Sequence, residues 1–242
     1  MEKPFSDQVA LVTGSGKRLG REVALGLAQR GADVVIHYRS SGDAAREVVA
    51  EIEKLGRRSI AVQADLKDVS QIRSMFEQTA AQMGRLDILV NSAASFVQTE
   101  FAKTTEKEWN ESLDTNVRAP FFCSQAAAPL LKKTSGCIIN FADVAGILGW
   151  TGYIPHSIAK AGVIMLTQCL AKELAPAVRV NAIAPGTITL PDDAPELEAN
   201  FIKQAPLKRS GRPADIIDAV TYLATAKFVT GHTLVIDGGR VL

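Results

Sequence analysis

Two side chains with acid–base and electrostatic potential stand close together in the second half of the sequence. In the segment GYIPHSIAK, from Gly152 to Lys160, His156 precedes Lys160 by four residues. This spacing places both side chains on one face of a helix. Imidazole exchanges a proton near neutral pH and is the most common acid–base group in enzymes, and the lysine supplies a positive charge nearby. The pair therefore indicates proton-transfer chemistry beside a cation.

A glycine-rich segment near the start of the sequence is typical of a phosphate-binding turn. The segment TGSGKRLG, residues 13–20, lies between a predicted strand and a predicted helix. Gly14, Gly16 and Gly20 would let the main chain approach a pyrophosphate, and the helix N-terminus would face the anion. Arg18 stands where a P-loop requires Ser or Thr, which excludes that motif.

The charges around this turn favour a phosphorylated coenzyme. Enzymes that use NAD(H) usually carry an acidic residue about 20 positions further on, which binds the ribose hydroxyls. Here the second predicted strand is followed by Arg39, Ser40 and Ser41, and Lys17 and Arg18 add cations in the turn. Because a 2′-phosphate requires cations and hydroxyl donors, the sequence predicts NADP(H). The alternative is that these cations are ordinary surface residues.

The elements that must position these groups alternate between apolar, strand-like segments and segments of helical periodicity. This alternation predicts an α/β fold: one Rossmann-type, doubly wound parallel sheet of about seven strands, with helices on both faces, over residues 1–242. Ligands bind such a fold at the carboxyl ends of its strands. The predicted strands are Gln8–Thr13, Asp33–Tyr38, Ser59–Asp65, Leu86–Ala94, Gly136–Asp143, Val178–Gly186 and Thr233–Gly239. The predicted helices are Leu19–Arg30, Asp43–Leu55, Val69–Met83, one from the Thr105 cap toward Leu131, Pro155–Ala175 and Pro213–Thr225.

One segment, residues 187–210, interrupts the alternation of strands and helices. It contains three prolines and four carboxylates and follows the sixth predicted strand. It is either a long solvated loop or a lid over the site, and its position at the carboxyl end of a strand favours the lid.

Composition and charge exclude several classes of function. The net charge of +1 provides no field that would attract nucleic acid or a membrane surface. The three cysteines are far apart, and the three histidines are not at ligand spacing, so we expect no metal site. The sequence begins MEKPFSDQ, without the apolar core of a secretory signal, and we expect a cytoplasmic protein without membrane spans.

Several motifs resemble the short-chain dehydrogenase/reductase family along nearly the whole chain. The turn is similar to the family's Thr-Gly-x-x-x-Gly-x-Gly, with Arg18 in place of the middle glycine. The segments QADL, NSAA, APG and IDGG resemble further motifs of the family. With the cations noted above, the resemblance implies coenzyme contacts from Gly14, Lys17, Arg18, Leu19, Gly20, Arg39, Ser40, Asp65, Leu66, Asn91, Ala93, Lys160, Pro185, Gly186 and Ile188.

The resemblance also implies a set of catalytic residues. In the family, a tyrosine four residues before a lysine donates the proton, and the lysine holds the nicotinamide ribose and lowers the pKa of the tyrosine. Lys160 matches the lysine, Asn116 matches a helix asparagine, and Asp143 occupies the position of the family's serine. His156 occupies the position of the tyrosine, which is the chief departure from the family's pattern.

The sequence resembles one branch of the family, the pteridine reductases, most closely. This branch shares the Lys-Arg-Leu-Gly of the turn, a His-Tyr pair represented here by 37–38, and the residues Phe96 and Asp143. Phe96 and the nicotinamide would sandwich a pterin ring, and Tyr153 resembles a pocket tyrosine of this branch. Ala94 replaces a serine that helps to hold the pterin, which leaves the substrate open.

Three interpretations of His156 remain open at this stage. His156 acts as the general acid, or the chain binds NADP(H) without catalysing a reaction, or the substrate takes its proton from water or Asp143. We expect an NADPH-dependent reductase of a C=N or C=O bond in a pterin-like small molecule. An oxoacyl or carbonyl reductase and a catalytically impaired NADP(H)-binding protein are the alternatives. The resemblance also implies self-association, as a homotetramer.

Overall fold

Seven short strands form one parallel sheet in the computed structural model, which describes residues 3–190, 202 and 205–242. Their order across the sheet is β3-β2-β1-β4-β5-β6-β7, so the chain reverses its winding direction after β3. The strands are β1 (Val9–Val12), β2 (Asp33–Tyr38), β3 (Ser59–Gln63), β4 (Ile88–Asn91), β5 (Cys137–Phe141), β6 (Arg179–Pro185) and β7 (Thr233–Ile236). The predicted doubly wound fold is confirmed.

The central strands are apolar at almost every position because helices cover both faces of the sheet. In β1 every residue is buried, and alternate side chains enter opposite cores. Leu11 belongs to one buried cluster and Val12 to the other. This is the burial expected of a parallel sheet packed between two helical layers.

The helices follow the predicted alternation, with one interruption. Their bounds are α1 (Arg18–Gln29), α2 (Gly42–Lys54), α3 (Val69–Met83), α4 (Glu106–Leu113), α5 (Ala119–Thr134), α6 (Ala145–Leu148), α7 (Ile154–Leu174) and α8 (Pro213–Thr225). No helix that the structure describes is long and apolar enough to cross a membrane.

The long helix predicted between Thr105 and Leu131 is divided in the structure. Thr105 and Glu108 form the predicted capping box, but a wider, π-helical turn at Asp114–Arg118 separates α4 from α5. Such turns insert a residue into a helix and are frequent at functional sites. Here the turn contains Asn116, whose side chain is buried against the loop after β4.

Two other features to compare with expectation are helix α6 and the predicted lid. Helix α6 was not predicted, because four residues are too few to show a helical period. Most of the predicted lid, residues 187–210, lies outside the described residues. Of its described part, Ile188 forms a β-bridge to Gly211, and Leu190 is buried.

Candidate active site

A cavity of about 1250 Å³ lies at the carboxyl ends of the parallel strands. This is where ligands bind in open α/β sheets, at the point where the winding direction reverses. The predicted site residues that line it are Gly14, Lys17, Arg18, Leu19, Gly20, Arg39, Ser40, Asp65, Leu66, Ala93, Phe96, Asp143, Tyr153, His156, Lys160, Pro185, Gly186 and Ile188. Asn91 and Asn116 are buried behind the wall of the cavity.

The turn after β1 approaches its neighbours so closely that side chains would not fit at two positions. Gly14 has a φ of +68°, and an added Cβ atom would lie 2.9 Å from Cα of Ala93. At Gly20, an added Cβ atom would lie 2.5 Å from the Gly14 carbonyl oxygen. Arg18 stands where the resemblance implies a glycine, and its φ of +52° lies in the left-handed region that glycine favours.

A buried histidine holds this turn against the second and third strands. The Gly14 N–H donates to Nδ1 of His37 at 2.9 Å, and Nε2 of the same ring lies 3.0 Å from the Ala64 carbonyl oxygen. Since a carbonyl only accepts, the proton resides on Nε2. Burial lowers the pKa of His37 to about 4, although the Ala64 carbonyl and Asp65 act in the opposite direction. His37 is therefore a neutral bridge at physiological pH.

Thr13 joins the same turn to the loop after β4. Its Oγ1 accepts hydrogen bonds from the Ser92 and Ala93 N–H groups, each at 3.0 Å. Asn91 lies just before this loop and donates to Oδ1 of Asn140 at 2.8 Å. Asn91, which we predicted to contact the coenzyme, therefore supports this loop from within the sheet.

The cations expected to bind a 2′-phosphate surround one end of the cavity. Lys17, Arg18 and Arg39 are exposed there. Arg39 lies 3.9 Å from the carboxylate of Glu111, which also accepts a hydrogen bond from Lys67 at 2.8 Å. The cation cluster therefore includes one acid that the sequence analysis did not single out.

Lys160 is buried at the centre of the cavity wall. Its Nζ donates to the Phe141 carbonyl oxygen at 2.7 Å, and only 3% of the residue is exposed. Burial lowers the pKa of Lys160 to about 8, and the nearby Asp143 carboxylate opposes this shift. The ammonium is therefore held in place at the end of β5.

His156 lies one turn before Lys160 on α7 and faces the same cavity. Its Nδ1 is 3.2 Å from the Ser95 carbonyl oxygen, which requires the proton to be on Nδ1 in the neutral ring. Nε2 lies 3.6 Å from Oδ2 of Asp143, too far for a hydrogen bond but close enough for electrostatic attraction. Among the residues that the structure describes, Nε2 has no hydrogen-bond partner.

Asn116 positions the main chain that holds His156. Its Oδ1 accepts from the Ser95 N–H at 3.0 Å, and its Nδ2 donates to the Ser95 carbonyl oxygen at 2.9 Å. The same carbonyl faces Nδ1 of His156. The π-helical turn thus fixes Ser95, and Ser95 in turn fixes the tautomer of the imidazole.

Asp143 reaches this group because α6 and α7 approach each other closely. An added Cβ atom at Gly146 would lie 2.6 Å from the Lys160 carbonyl carbon. Oδ1 of Asp143 accepts from the Ala145 N–H at 2.7 Å, which leaves Oδ2 turned toward His156. Asp143, His156 and Lys160 are therefore brought together as the sequence predicted, with Asn116 behind them.

Aromatic side chains form the wall beyond His156. The ring of Phe96 lies edge-on to His156 at 4.9 Å and stacks on Tyr153 at 4.6 Å. Trp150 contacts Tyr153 edge-on at 6.1 Å, and the Arg240 guanidinium lies 4.9 Å from the centre of the Trp150 ring. The sequence analysis identified Phe96 and Tyr153 but not Trp150 or Arg240.

The residues that the sequence analysis missed gave only weak local signals. His37 was noticed for its motif, but its bridging role depends on two strands that meet only in the fold. Arg240 follows two glycines near the end of the chain, 90 residues after Trp150. Within the described part of the chain, no group of three or more His, Cys, Asp and Glu side chains could hold a metal ion.

Comparisons with known proteins agree with this architecture. A family model described as Enoyl-(Acyl carrier protein) reductase matches residues 14–240. The 3-oxoacyl-[acyl-carrier-protein] reductase FabG of Staphylococcus aureus is 40% identical over 240 residues, covering 96% of this chain and 98% of that protein.

Two solved structures have the same fold and were determined with different coenzymes. A blue fluorescent protein from a metagenomic library, in complex with NADPH, has a TM-score of 0.92 at 32% identity and covers 98% of this chain and 99% of its own. A 7α-hydroxysteroid dehydrogenase, complexed with NADH and 7-oxo glycochenodeoxycholic acid, has a TM-score of 0.92 at 29% identity, with 98% and 96% covered. This chain belongs to the short-chain dehydrogenase/reductase family of oxidoreductases.

Proposed function

We propose that the protein is an NADPH-dependent reductase of a C=O or C=N bond, with His156 as the proton donor. The observation that carries the proposal is the buried Nε2 atom of His156, which faces the cavity between Asp143 and the aromatic wall. A buried polar atom without a partner among the described residues is costly unless a ligand or water satisfies it. When the ring also carries a proton on Nε2, a substrate oxygen or nitrogen would accept a hydrogen bond from this atom at the point where a proton is needed.

The coenzyme end of the cavity fits NADP(H). The close approach of main chain at Gly14 and Gly20 gives a pyrophosphate access to the N-terminus of α1. Arg39, Ser40 and Lys17 line the position of the 2′-phosphate, where NAD(H)-dependent enzymes usually carry an acid. Because solved relatives contain either coenzyme, these local charges are the argument for NADPH.

The side chains divide the work of reduction among them. NADPH, when bound, supplies the hydride. Lys160 would hold the nicotinamide ribose, and its position beside the Phe141 carbonyl fixes the ammonium. His156, protonated on both nitrogens, would donate the Nε2 proton to the substrate heteroatom while Nδ1 remains bound to Ser95. Asp143, with Oδ2 3.6 Å from Nε2, would attract the positively charged ring and help to keep it in this position.

The aromatic wall favours a flat, pterin-like ring as the substrate. The rings of Phe96 and Tyr153 are nearly parallel, with an angle of 15°, and both line the cavity beside His156. A planar heterocycle gains from offset stacking on such rings. The resemblance of these residues to the pteridine reductases supports the same substrate class.

An oxoacyl thioester is the second candidate substrate. Its support is the similarity to 3-oxoacyl-[acyl-carrier-protein] reductases at 40% identity over nearly the whole chain. The same arrangement of His156, Asp143 and Lys160 would serve a ketone, because both reactions require one hydride and one proton.

A comparison of coenzyme binding with turnover tests the proposal. NADPH and NADH binding are measured by calorimetry, and NADPH oxidation is followed with dihydropterins, dihydrofolate and 3-oxoacyl thioesters. The proteins are the wild type, His156→Ala, His156→Tyr and the control His232→Ala, whose exposed histidine does not line the cavity. We expect turnover by the wild type and control, and a loss of about 10²–10⁴ in kcat for His156→Ala.

Other outcomes would contradict specific parts of the proposal. Tight NADPH binding without turnover, rescued in His156→Tyr, would identify a catalytically impaired coenzyme-binding protein. Equal rates for the wild type and His156→Ala would exclude His156 as the acid and favour protonation by water or Asp143. Preference for NADH would overturn the role of Arg39.

We also propose that the chain self-associates, as a homotetramer, and functions in the cytoplasm. Apolar side chains are exposed on three neighbouring elements: Trp109 on α4, Phe121 on α5, and Ile158 and Met165 on α7. Exposed apolar groups of this kind are typical of a surface that another subunit covers. Sedimentation analysis tests the oligomeric state, and a monomer at micromolar concentration would contradict self-association.

Residues 187–210 remain a proposed lid over the cavity.

A further inference from the structure

We propose that Glu111, on α4, limits how strongly the protein prefers NADPH, because it competes with the coenzyme's 2′-phosphate for the Arg39 guanidinium. The inference rests on the proposed function, since it concerns the coenzyme that the reductase would use. It makes Glu111 a specificity-determining residue that acts against NADPH, in the same part of the cavity as the cations that act for it.

Glu111 lies between two cations at the coenzyme end of the cavity. Its Oε2 accepts a hydrogen bond from Nζ of Lys67 at 2.8 Å, and its Oε1 lies 3.9 Å from Nη1 of Arg39. Oε1 also accepts a hydrogen bond from the Thr115 hydroxyl at 3.4 Å. All four residues line the cavity. The carboxylate is therefore held in the wall of the proposed coenzyme site.

The two cations hold Glu111 with different strength. Lys67 makes a hydrogen-bonded ion pair, whereas the 3.9 Å contact with Arg39 is too long for a hydrogen bond and acts through charge alone. The Lys67 hydrogen bond lowers the pKa of Glu111, and the charge of Arg39 acts in the same direction, although burial opposes both. Glu111 is therefore a carboxylate at neutral pH, fixed by Lys67 and only attracted by Arg39.

The main chain of each cation is held by a side chain from another element. Nε2 of Gln63, on β3, donates to the Arg39 carbonyl oxygen at 2.9 Å, and the Arg118 guanidinium donates to the Lys67 carbonyl oxygen at 2.9 Å. The Arg39 side chain itself is 58% exposed. It can therefore turn from Glu111 toward a bound phosphate while its main chain stays in place.

A 2′-phosphate and the Glu111 carboxylate need the same donors. A guanidinium can give a phosphate two parallel hydrogen bonds, which are stronger than the present contact of Arg39 with Glu111. The phosphate would win the competition, but the affinity for NADPH would be reduced by the ion pair that Arg39 gives up. NADH carries a hydroxyl group at this position, so its binding would leave the ion pair intact.

The opposite role, in which Glu111 aims Arg39 at the phosphate, requires a hydrogen bond that fixes the guanidinium. Such a bond exists elsewhere in the protein, where Nε of Arg58 donates to the Asp33 carboxylate at 2.8 Å. At 3.9 Å, Glu111 attracts Arg39 without fixing the direction of its donors. The geometry therefore favours competition over positioning.

Calorimetric titrations with NADPH and NADH test the inference. The proteins are the wild type, Glu111→Gln, Arg39→Gln and the double variant, with Glu106→Gln as the control, because Glu106 is an exposed acid of α4 that does not line the cavity. We expect Glu111→Gln to bind NADPH about threefold more tightly, the value of a half-exposed ion pair, and to bind NADH as the wild type does. The control should bind both coenzymes as the wild type does.

The double variant shows whether Glu111 acts through Arg39. In the Arg39→Gln background, the change at position 111 should have little effect on NADPH binding, because a double-mutant cycle isolates the coupling between the two side chains. A threefold effect that persists in this background would overturn the competition for Arg39. Weaker NADPH binding by Glu111→Gln would identify Glu111 as a positioning residue, and an equal change for NADPH and NADH would assign its effect to the part that they share. Either result would also overturn the inference.

Failure of the proposed function would give a different result. If NADPH binds but no substrate supports its oxidation, the reductase proposal fails, and the affinities still decide the role of Glu111. If turnover is observed and Glu111→Gln leaves the NADPH affinity unchanged, the inference alone fails. Binding of neither coenzyme by the wild type would overturn both.

Discussion

The coenzyme end of the cavity is shaped mainly by main-chain atoms and small residues, whereas the reacting end is shaped by buried ionisable side chains. At the first end, close contacts at Gly14 and Gly20 and exposed cations such as Arg39 determine what can bind. At the second end, His156 and Lys160 are each only 3% exposed and contact fixed carbonyl oxygens. The first end therefore depends on shape, and the second depends on the identity of a few side chains.

This difference bears on the two positions where the resemblance implies other residues. Arg18 stands where the resemblance implies a glycine, and it adopts the left-handed backbone that glycine favours. His156 stands where the resemblance implies a tyrosine, and its imidazole lies beside Ser95 and Asp143. Substitutions at the reacting end should therefore change rates, and substitutions at the coenzyme end should mainly change coenzyme affinity.

The largest effect should follow from His156→Gln. Glutamine keeps a polar group near Ser95 but cannot deliver a proton from Nε2. We expect kcat to fall by about 10²–10⁴, because a positioned general acid contributes that much. The dissociation constant for NADPH should change far less. Steady-state kinetics and calorimetry measure the two quantities, and a parallel loss of both would contradict the division between the two ends.

The next largest effect concerns the stability cost of burying Lys160. The pKa of Lys160 is about 8 in the folded protein, against 10.5 for a lysine in water, so between these pH values the unfolded chain binds more protons. The folded state therefore gains stability as the pH rises through this window. Below pH 8 the cost of burying the ammonium is fully present and amounts to about 3 kcal/mol. Lys160→Met would remove this cost but would also lose the hydrogen bond to Phe141, which is worth about 1 kcal/mol.

Lys160→Met should therefore be more stable than the wild type near neutral pH, and its advantage should shrink from pH 8 toward 10.5. Urea unfolding at several pH values measures the difference in the free energy of unfolding. Lys172→Met, on the exposed surface of the same helix, is the control and should show no such trend. A constant difference between Lys160→Met and the wild type would show that the lysine is not desolvated.

A smaller effect should follow at the coenzyme end from His37→Phe. A buried aromatic ring is retained, but the Gly14 N–H and the Ala64 carbonyl lose their bridge. We expect NADPH binding to weaken about tenfold, the value of one or two hydrogen bonds, because the turn is no longer held. The effect on kcat should be smaller than the effect on binding. A change in kcat alone would contradict the assignment of His37 to the coenzyme end.

The sequence predicted some features of each end of the cavity and missed others. Periodic patterns gave α3 and α8 their observed bounds, and glycines located the turn, because these features are local. The grouping of Asp143, His156 and Lys160 was also predicted, through the resemblance. The hydrogen bonds to Ser95, the bridge made by His37 and the stacking of Arg240 on Trp150 join distant parts of the chain. Such contacts depend on the packing of several elements, and the sequence carries no local pattern for them.

The smallest effect should come from Arg39→Gln, which tests the charge at the coenzyme end. The Arg39 side chain is 58% exposed and lies 3.9 Å from Glu111, so solvent and an existing ion pair both weaken its attraction for a 2′-phosphate. We expect the preference for NADPH over NADH to fall only about threefold to tenfold, with most of the change in NADPH affinity.

Salt provides the sharper form of this last test. If the exposed cations select NADPH, raising the ionic strength should reduce the preference of the wild type, because screening weakens exposed charges most. Arg39→Gln should be less sensitive to salt, while Arg46→Gln, which lies outside the cavity, should behave as the wild type. A preference that resists both salt and Arg39→Gln would mean that the shape of the turn selects the coenzyme. The coenzyme end would then depend on main-chain geometry alone, and the contrast with the reacting end would be stronger.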